Sequence, residues 1–259
     1  MKSLLESSKK QPVFLADVHC HLTHEQFKKD LPMVIKRAKN VTIHCAGSCL
    51  SDNELVLDLA QQYPNIKASL GLYPWDAVAL NEAQVDTCLD MIKRHIKEVV
   101  SIGEVGLDHH WGKAEADWEY QAWVFDKALE LAESTNKPVV VHTRQAEAEC
   151  LELMSHHSVK AIIHSYTGPM KLVPGFLEQG YYFSIPAVVV RSNSFQSLVK
   201  QVPVDRLFTE TDAPFMAPII GQRSEPINVK DGLKKIAELK GLTIKQAETA
   251  LTKNYKELF

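Results

Sequence analysis

Histidines and carboxylates that could bind a metal occur in five short strings of this chain. One pair of histidines two residues apart is weak evidence for a metal site, because buried histidines often have only a structural role. Five strings, each following or ending an apolar run, form a stronger pattern, because imidazole and carboxylate are the ligands of hydrolytic divalent-metal sites. The strings are Asp17-Val18-His19-Cys20-His21, Gly103-Glu104-Val105-Gly106-Leu107-Asp108, His142, His164 and Glu210-Thr211-Asp212.

Eight strand-like runs, mostly separated by helical patterns, contain these strings. Several runs are nearly continuous in Val and Ile, which is typical of strands buried on both faces of a parallel sheet. Eight alternating β and α units without a linker or repeat predict a single (β/α)8 TIM barrel, one domain over residues 1–259. The alternative, a doubly wound open sheet, would not explain ligands from strands so far apart in the chain. The predicted strands are 13–22, 41–47, 66–73, 99–108, 138–144, 160–166, 181–188 and 206–212.

The barrel predicts how the strings meet. Side chains two residues apart on a strand share a face, and the C-terminal strand ends of a TIM barrel carry the active site. Closure makes strand eight the neighbour of strand one, so Asp212 should approach His19 and His21. Strands five and six are also neighbours, which should bring His142 beside His164.

Glu104, on strand four, is expected to bridge these two groups. Asp212 is also a candidate acceptor for the proton of an attacking water, and Asp17 and Glu210, one pleat deeper, are expected to orient the histidines. The sequence thus predicts two divalent ions roughly 3.5–4 Å apart. One would be held by His19, His21, Asp212 and one Glu104 oxygen, the other by His142, His164 and the second Glu104 oxygen.

Three further residues near these strings are candidates for contact with substrate. Arg144 lies two residues beyond His142, and its planar guanidinium suits a pair of phosphate oxygens. The alternative for Arg144 is an ion pair with Glu147 or Asp108. Asp108 and the His109 that follows it are predicted to line the mouth of the pocket.

Composition is that of an ordinary globular protein, with 45% hydrophobic and 24% charged residues. The net charge of −3 excludes a broad basic surface. A nucleic-acid substrate would therefore be held locally, by metal and a few side chains, rather than by an extended cationic groove.

Five cysteines without CxxC spacing argue against a disulfide framework or a zinc ribbon. Cys20 lies between two histidines, but neighbouring strand residues point to opposite faces, so a buried apolar thiol is expected. The first ten residues lack the apolar stretch of a signal peptide, and no run approaches the roughly 20 apolar residues of a membrane span. The expected compartment is the cytosol.

The last helix is predicted to begin after Thr243, which forms a capping box with Gln246. Ile244, Ala247 and Leu251 are expected to form its buried side.

The strings and their surroundings resemble the TatD family of metal-dependent deoxyribonucleases, within the amidohydrolase-like barrels. The resemblance runs nearly from end to end, through DVHCHL, GEVGLD, PVVVHTR, IIHSYTG, VDRLFTETDAPFMAP and RSEP. It implies a TIM barrel that hydrolyses phosphodiester bonds in DNA, as a 3′–5′ exonuclease acting on single strands or 3′ ends, with RNA as a further substrate to consider. The metal ligands that it implies are the six already named, His19, His21, Glu104, His142, His164 and Asp212.

The resemblance also implies two Mg²⁺ ions, although four imidazoles favour Mn²⁺ or Zn²⁺. One position departs from the family. Tyr73 stands where the family commonly has a histidine in a Gly-x-His-Pro string. A phenol donates a hydrogen bond to a phosphate oxygen but carries no positive charge near neutral pH. Tyr73 is therefore a candidate substrate-binding residue whose contribution should differ from that of the family histidine.

Two alternatives to a deoxyribonuclease stay open. The same barrel and metals could hydrolyse a small ester, lactone or amide, an idea that the acidic net charge favours. A catalytically inactive scaffold that binds nucleic acid or protein is the third hypothesis, but none of the expected ligands is missing. The sequence does not predict the oligomeric state, and a monomer is compatible with it.

Overall fold

The chain folds as a (β/α)8 TIM barrel, as the alternation of strands and helices predicts. The computed structural model describes residues 14–111 and 114–259. Each strand pairs in parallel with the next along the chain, in the order β1 to β8. The strands are β1 Leu15–Cys20, β2 Val41–Ala46, β3 Ile66–Leu70, β4 Val99–Asp108, β5 Val139–Arg144, β6 Ala161–Ile163, β7 Tyr182–Pro186 and β8 Leu207–Glu210.

Backbone hydrogen bonds join the last strand to the first. Asp212 N donates to His19 O over 3.0 Å, and His21 N donates to Ala213 O over 2.7 Å. These bonds lie at the C-terminal ends of β1 and β8, so the barrel is closed where the predicted site lies.

Helices cover the outside of the sheet in the part of the chain that the structure describes. No helix among these residues has the length and apolar character needed to cross a lipid bilayer. The α-helices are α1 Leu31–Arg37, α2 Leu50–Gln62, α3 Pro74–Val78, α4 Glu82–Arg94, α5 Glu115–Thr135, α6 Glu147–Ser155, α7 Val173–Glu178, α8 Asn193–Gln201, α9 Val229–Lys240 and α10 Ile244–Leu258.

The observed strands are shorter than predicted at several ends. The first predicted strand begins at Val13, which lies outside the described residues. The first ten residues, for which we expect no signal peptide, lie outside them as well. At the other ends, β6 stops at Ile163 and β8 at Glu210. Ser165 and Asp212 adopt positive φ angles of 44° and 49°, which no extended strand accommodates. Several ligand candidates therefore lie one or two residues beyond a strand end.

The last helix shows one further difference. Thr243 and Gln246 form the predicted capping box. Ala247 and Leu251 are buried, but Ile244 is 51% exposed, so its predicted burial is wrong. Ile244 is the first residue of α10, and residues 243–246 are all exposed, so the helix is buried only from Ala247 onward.

An inner apolar cluster lies below the site. Val140, Ile162 and Phe208 stand two residues before His142, His164 and Glu210, on the same strand faces. Residues of the C-terminal end, Leu258 and Phe259, pack against this cluster. The floor under the ligands therefore consists of packed apolar side chains, which limits how far the ligands can move.

Candidate metal centre

Glu104 lies between two pairs of histidines, one facing each of its carboxylate oxygens. Its Oε2 is 3.5 Å from the Nε2 atoms of both His19 and His21. Its Oε1 is 2.7 Å from His142 Nδ1 and 3.0 Å from His164 Nε2. This arrangement matches the two groups expected from strand order, with the bridging carboxylate in the middle.

Asp212 completes the group around the first strand. Its Oδ1 is 3.5 Å from His21 Nε2 and 3.7 Å from His19 Nε2, and those two nitrogens are 3.1 Å apart. The φ angle of 49° places Asp212 in the left-handed region, which costs on the order of 1–3 kcal/mol for a residue with a side chain. The hydrogen bond from its N to His19 O holds this backbone in place.

Strand β4 lies close to β5 beside Glu104, because Gly106 has no side chain to hold the two strands apart. Gly106 pairs in register with His142 and has a φ angle of 139°. A methyl group there would lie 2.0 Å from the His142 carbonyl oxygen. Only glycine fits this position, and its absence of a side chain lets Glu104 reach both histidines of the second group.

The charges of the centre favour an ionised Glu104. Burial opposes ionisation, but the charge of His164 and hydrogen bonds from His142 and His164 outweigh it and lower the pKa of Glu104 well below its usual range. Burial, together with repulsion from His164, lowers the pKa of His19. Against the effect of burial, the carboxylates that His21, His142 and His164 face raise the pKa values of these three rings. A bound metal would therefore displace protons from them, because the neutral imidazole is the form that binds metals.

The two ring nitrogens of His142 face carboxylates, an arrangement that fits a cation bound at Nδ1. Its Nε2 is 2.9 Å from Oδ2 of Asp108, an ionised group whose pKa is lowered to about 2, against the effect of burial, by hydrogen bonds from His142 and His110. Nε2 must therefore carry a proton, so in the neutral ring Nδ1 turns its lone pair toward the Glu104 carboxylate, whereas in the protonated ring Nδ1 donates to that carboxylate. Nδ1 and Glu104 Oε1 are 2.7 Å apart, a distance that requires a cation between them, either a proton on Nδ1 or a metal ion that binds both atoms.

Three sets of ligand atoms are compact enough to hold an ion. Within each set, the atoms lie within 4.8 Å of one another. Among the described residues, His19 Nδ1 is also buried without a hydrogen-bond partner. Imidazole nitrogens and carboxylate oxygens in this number suit a divalent metal. The sets are His19, His164 and Asp212; His19, His21 and Glu104; and Glu104, His142 and His164.

The two carboxylates expected to orient histidines behave differently. Asp17 accepts hydrogen bonds from the N and Oγ1 of Thr211, at 2.8 and 2.5 Å, and not from an imidazole ring. The expectation for Asp17 is wrong because the pairing of β1 with β2 shifts between Asp17 and Cys20, which breaks the alternation of faces. Glu210 Oε2 does face His164 Nδ1, at 3.8 Å.

Asp108 holds His142 rather than lining the cavity. It is fully buried, and its Oδ2 accepts from His142 Nε2 and from the Tyr73 hydroxyl, the latter over 2.8 Å. Its Oδ1 accepts from His110 N over 2.8 Å. The geometry therefore does not favour the predicted contact of Asp108 with substrate, because its oxygens are already occupied. Tyr73 does line the cavity, with its hydroxyl directed at Asp108.

A cavity of about 630 Å³ opens above the ligands. Arg144 lines it and lies with its guanidinium 5.2 Å from the centre of the Trp111 ring. The alternative for Arg144 was an ion pair with Glu147 or Asp108. In the described part of the chain, Arg144 forms an ion pair with neither residue. The guanidinium is thus available to an anion in the cavity.

His109 does not reach the wall of this cavity, as far as residues 14–111 and 114–259 show. Its ring stacks on Trp118 of α5, with centroids 4.4 Å apart and planes 21° from parallel, and its Nε2 is 3.7 Å from Glu149. The predicted role of His109 at the mouth of the pocket is therefore not supported, because the stacking turns its ring toward the helices.

Sequence reasoning missed other residues of the cavity wall. Asp52, Asp76, Trp111 and Phe215 line it but lie outside the histidine and carboxylate strings. Their only signal in the sequence is position, since each follows a strand within a few residues of its C-terminal end or begins the next helix.

Comparison with known proteins agrees with this geometry. Residues 16–259 match the family described as TatD related DNase. The chain belongs to the TatD family. It is 33% identical over 255 residues to the uncharacterized metal-dependent hydrolase YabD of Bacillus subtilis, covering 95% of this chain and 98% of the relative. The chain is therefore a metal-dependent hydrolase of the TatD type.

Two further relatives extend the comparison. The human deoxyribonuclease TATDN3 is 30% identical over 260 residues, covering 95% of each chain. The crystal structure of YJJV, a TatD homologue from Escherichia coli, superposes with a TM-score of 0.87 at 25% identity, over 96% of this chain and 99% of the other. The similarity thus extends over nearly the whole chain in both sequence and structure.

Proposed function

We propose that this protein hydrolyses phosphodiester bonds in DNA and removes nucleotides from the 3′ end of single strands or exposed ends. The observation that carries the proposal is the position of Glu104, whose two oxygens each face a separate pair of imidazoles. The name of the human relative, a deoxyribonuclease, supports DNA as the substrate.

Two divalent ions would be held by the six ligands on the two sides of Glu104. When bound, such ions polarise a phosphoryl oxygen and lower the pKa of a water that can attack it. We propose Mg²⁺ as the physiological ion, with Mn²⁺ and Zn²⁺ as the alternatives that four imidazoles favour. The ligands are His19, His21 and Asp212 on one side, His142 and His164 on the other, and Glu104 between them.

Asp212 is the proposed acceptor for the proton of the attacking water. Burial opposes its ionisation, but the hydrogen bond from His21 and the charges of His164 and His19 lower the pKa of Asp212, so the carboxylate is ionised at neutral pH. It lies at the cavity wall, where a water can reach it. Glu104 would act beside it as the residue that fixes both halves of the site.

Arg144 is the proposed contact for a phosphate oxygen. It is exposed, lines the cavity and forms a flat surface beside Trp111. Tyr73 stays a second candidate for substrate contact. Burial, and then the charge of Asp108, raises the pKa of its hydroxyl, which stays neutral and donates its one hydrogen to Asp108, so a substrate would contact the ring or the hydroxyl oxygen of Tyr73.

Other predictions from the sequence stay proposals. We propose one domain over the whole chain and a cytosolic location, with which the free cysteines of the described residues are compatible; the sequence does not predict the oligomeric state, and a monomer is compatible with it. RNA is a second substrate to be tested beside DNA.

The test follows single-stranded oligonucleotides labelled at either end. With Mg²⁺, we expect a 5′-labelled strand to give a ladder of shorter products, while a 3′-labelled strand releases its label at once. Chelation of the metal, or Glu104→Gln, should abolish both signals. Intact oligonucleotides together with turnover of esters or lactones would instead support hydrolysis of a small molecule.

A further inference from the structure

Two aromatic side chains stand exposed at the mouth of the metal cavity. Trp111 is 67% exposed and Phe215 is 48% exposed, and both line the same cavity as Glu104. Trp111 follows β4 and Phe215 follows β8, so they approach the site from different strand ends. Large apolar rings are unfavourable in water, and their position beside the ligands calls for an explanation.

Contacts with neighbouring rings and charges hold both side chains in place. Phe215 packs edge-on against His24 and His21, with centroids 5.4 and 6.4 Å apart. Trp111 packs edge-on against His110 at 4.6 Å and carries the Arg144 guanidinium over its ring. These contacts leave ring surface exposed while restricting rotation, which prepares the rings to stack on a flat partner.

We propose that Trp111 and Phe215 form a stacking platform for unpaired nucleobases of the substrate. The proposal rests on the proposed function and specifies its substrate class. Every base has an aromatic face, so stacking on a protein ring tolerates any base sequence. Bases within a duplex are already stacked on each other, so only unpaired nucleotides can use such a platform. The site should therefore prefer single-stranded ends.

Arg144 favours a nucleotide over another flat apolar ligand. Its guanidinium lies over the Trp111 ring, and a phosphate contacting that guanidinium would be attached to a base close to the same ring. Ile219 and Ile220 are also exposed, at 55% and 79%, but they do not belong to the cavity wall. They give a matched control from the same loop region as Phe215.

The experiment is a double-mutant cycle in which the aromatic ring is removed from the protein and the base is removed from the substrate. The unchanged protein, Trp111→Ala, Phe215→Ala and the control Ile220→Ala are compared on single-stranded DNA with intact 3′-terminal nucleotides and on the same strand with abasic terminal nucleotides. On the intact strand we expect KM to rise about tenfold for each aromatic variant, with a smaller change in kcat and no change for the control. On the abasic strand, all four proteins should have the same KM.

An RNA strand of the same sequence distinguishes contacts to the base from contacts to the sugar. Stacking does not depend on the 2′-hydroxyl, so the aromatic variants should lose the same factor in affinity for RNA. The side chains are exposed, and unfolding midpoints equal to that of the unchanged protein would confirm that the variants fold.

Two results would overturn the platform. One is an unchanged KM in both aromatic variants. The other is an equal rise in KM on intact and abasic strands, which would mean that the rings shape the cavity without stacking on bases. If the protein cleaves no oligonucleotide at all, the proposed function fails. The stacking platform is then tested by measuring the affinity of each variant for the same labelled strands by fluorescence anisotropy, which requires binding but no cleavage.

Discussion

His142 donates its Nε2–H to Oδ2 of Asp108 over 2.9 Å, and this bond decides which nitrogen of the ring faces Glu104. An ionised Asp108 can only accept, so Nε2 carries a proton, and the ring in its neutral, metal-binding form has its lone pair on Nδ1. A carboxylate outside the ligand group thereby selects the tautomer that can bind a metal.

Asp108→Asn tests this relationship. The amide can donate to Nε2, which would favour the tautomer with the proton on Nδ1 and block the second ion. We expect the affinity for that ion to fall about 10- to 100-fold, measured by calorimetric titration with Mn²⁺. Asp126→Asn is the control, because Asp126 also bonds to a histidine, His157, at 2.8 Å. An unchanged affinity in the Asp108 variant would refute the role of the tautomer.

Tyr73→Phe removes one of the donors to Asp108 and keeps the aromatic ring that packs edge-on against His142. The loss of one hydrogen bond corresponds to about 0.5–1.5 kcal/mol, so we expect the second ion to bind about 2- to 10-fold more weakly. Tyr120→Phe removes a comparable hydroxyl, bonded to Leu80 O, and should leave metal binding unchanged. Equal titration curves for all three proteins would contradict the prediction.

His44 should make the protein less stable in mild acid. Burial, then the charges of Lys67 and His19, lowers the pKa of His44 from 6.5 to about 3. In the unfolded chain the ring takes up a proton below pH 6.5, whereas in the folded chain it stays neutral, so stability is lost as pH falls from 6.5 toward 3. The slope from this one group is at most about 1.4 kcal/mol per pH unit.

The measurement is the free energy of unfolding in urea between pH 7 and pH 4, for the unchanged protein and for His44→Gln. The glutamine keeps a polar group near the Tyr255 hydroxyl, 2.8 Å from His44 Nε2, but does not titrate. We expect a flatter pH dependence in the variant. Parallel curves for the two proteins would show that His44 does not titrate as described.

Gly106→Ala should destabilise the fold by at least about 2 kcal/mol, since a methyl group would meet His142 O in addition to the strain at positive φ. Gly180→Ala is the matched comparison, because Gly180 also has a positive φ, 79°, but open space around it. The difference between their unfolding free energies isolates the steric clash. Equal losses would mean that β4 and β5 can separate without penalty.

Much of the site could be predicted because strand parity and barrel closure are general rules. The neighbouring positions of His142 and His164, and the approach of Asp212 to His19, follow from the order of the strands alone. Parity fails where pairing shifts, as between Asp17 and Cys20, because an irregular residue in a strand leaves no signature in the residue types.

The roles of side chains in loops were less predictable. The burial of Asp108 beneath Tyr73 and the stacking of His109 on Trp118 depend on how helices and loops pack against the barrel rim. Trp111 and Phe215 are likewise placed by loop conformation, and neither belongs to a periodic pattern. Tertiary packing, which local sequence does not encode, decides these positions.

Anomalous diffraction from a crystal grown with Mn²⁺ tests the central position of Glu104 most directly. We expect two peaks, one within about 2.0–2.4 Å of each Glu104 oxygen, with His19 and His21 beside one and His142 and His164 beside the other. A peak that Glu104 does not contact, or no peak among these histidines, would contradict the account.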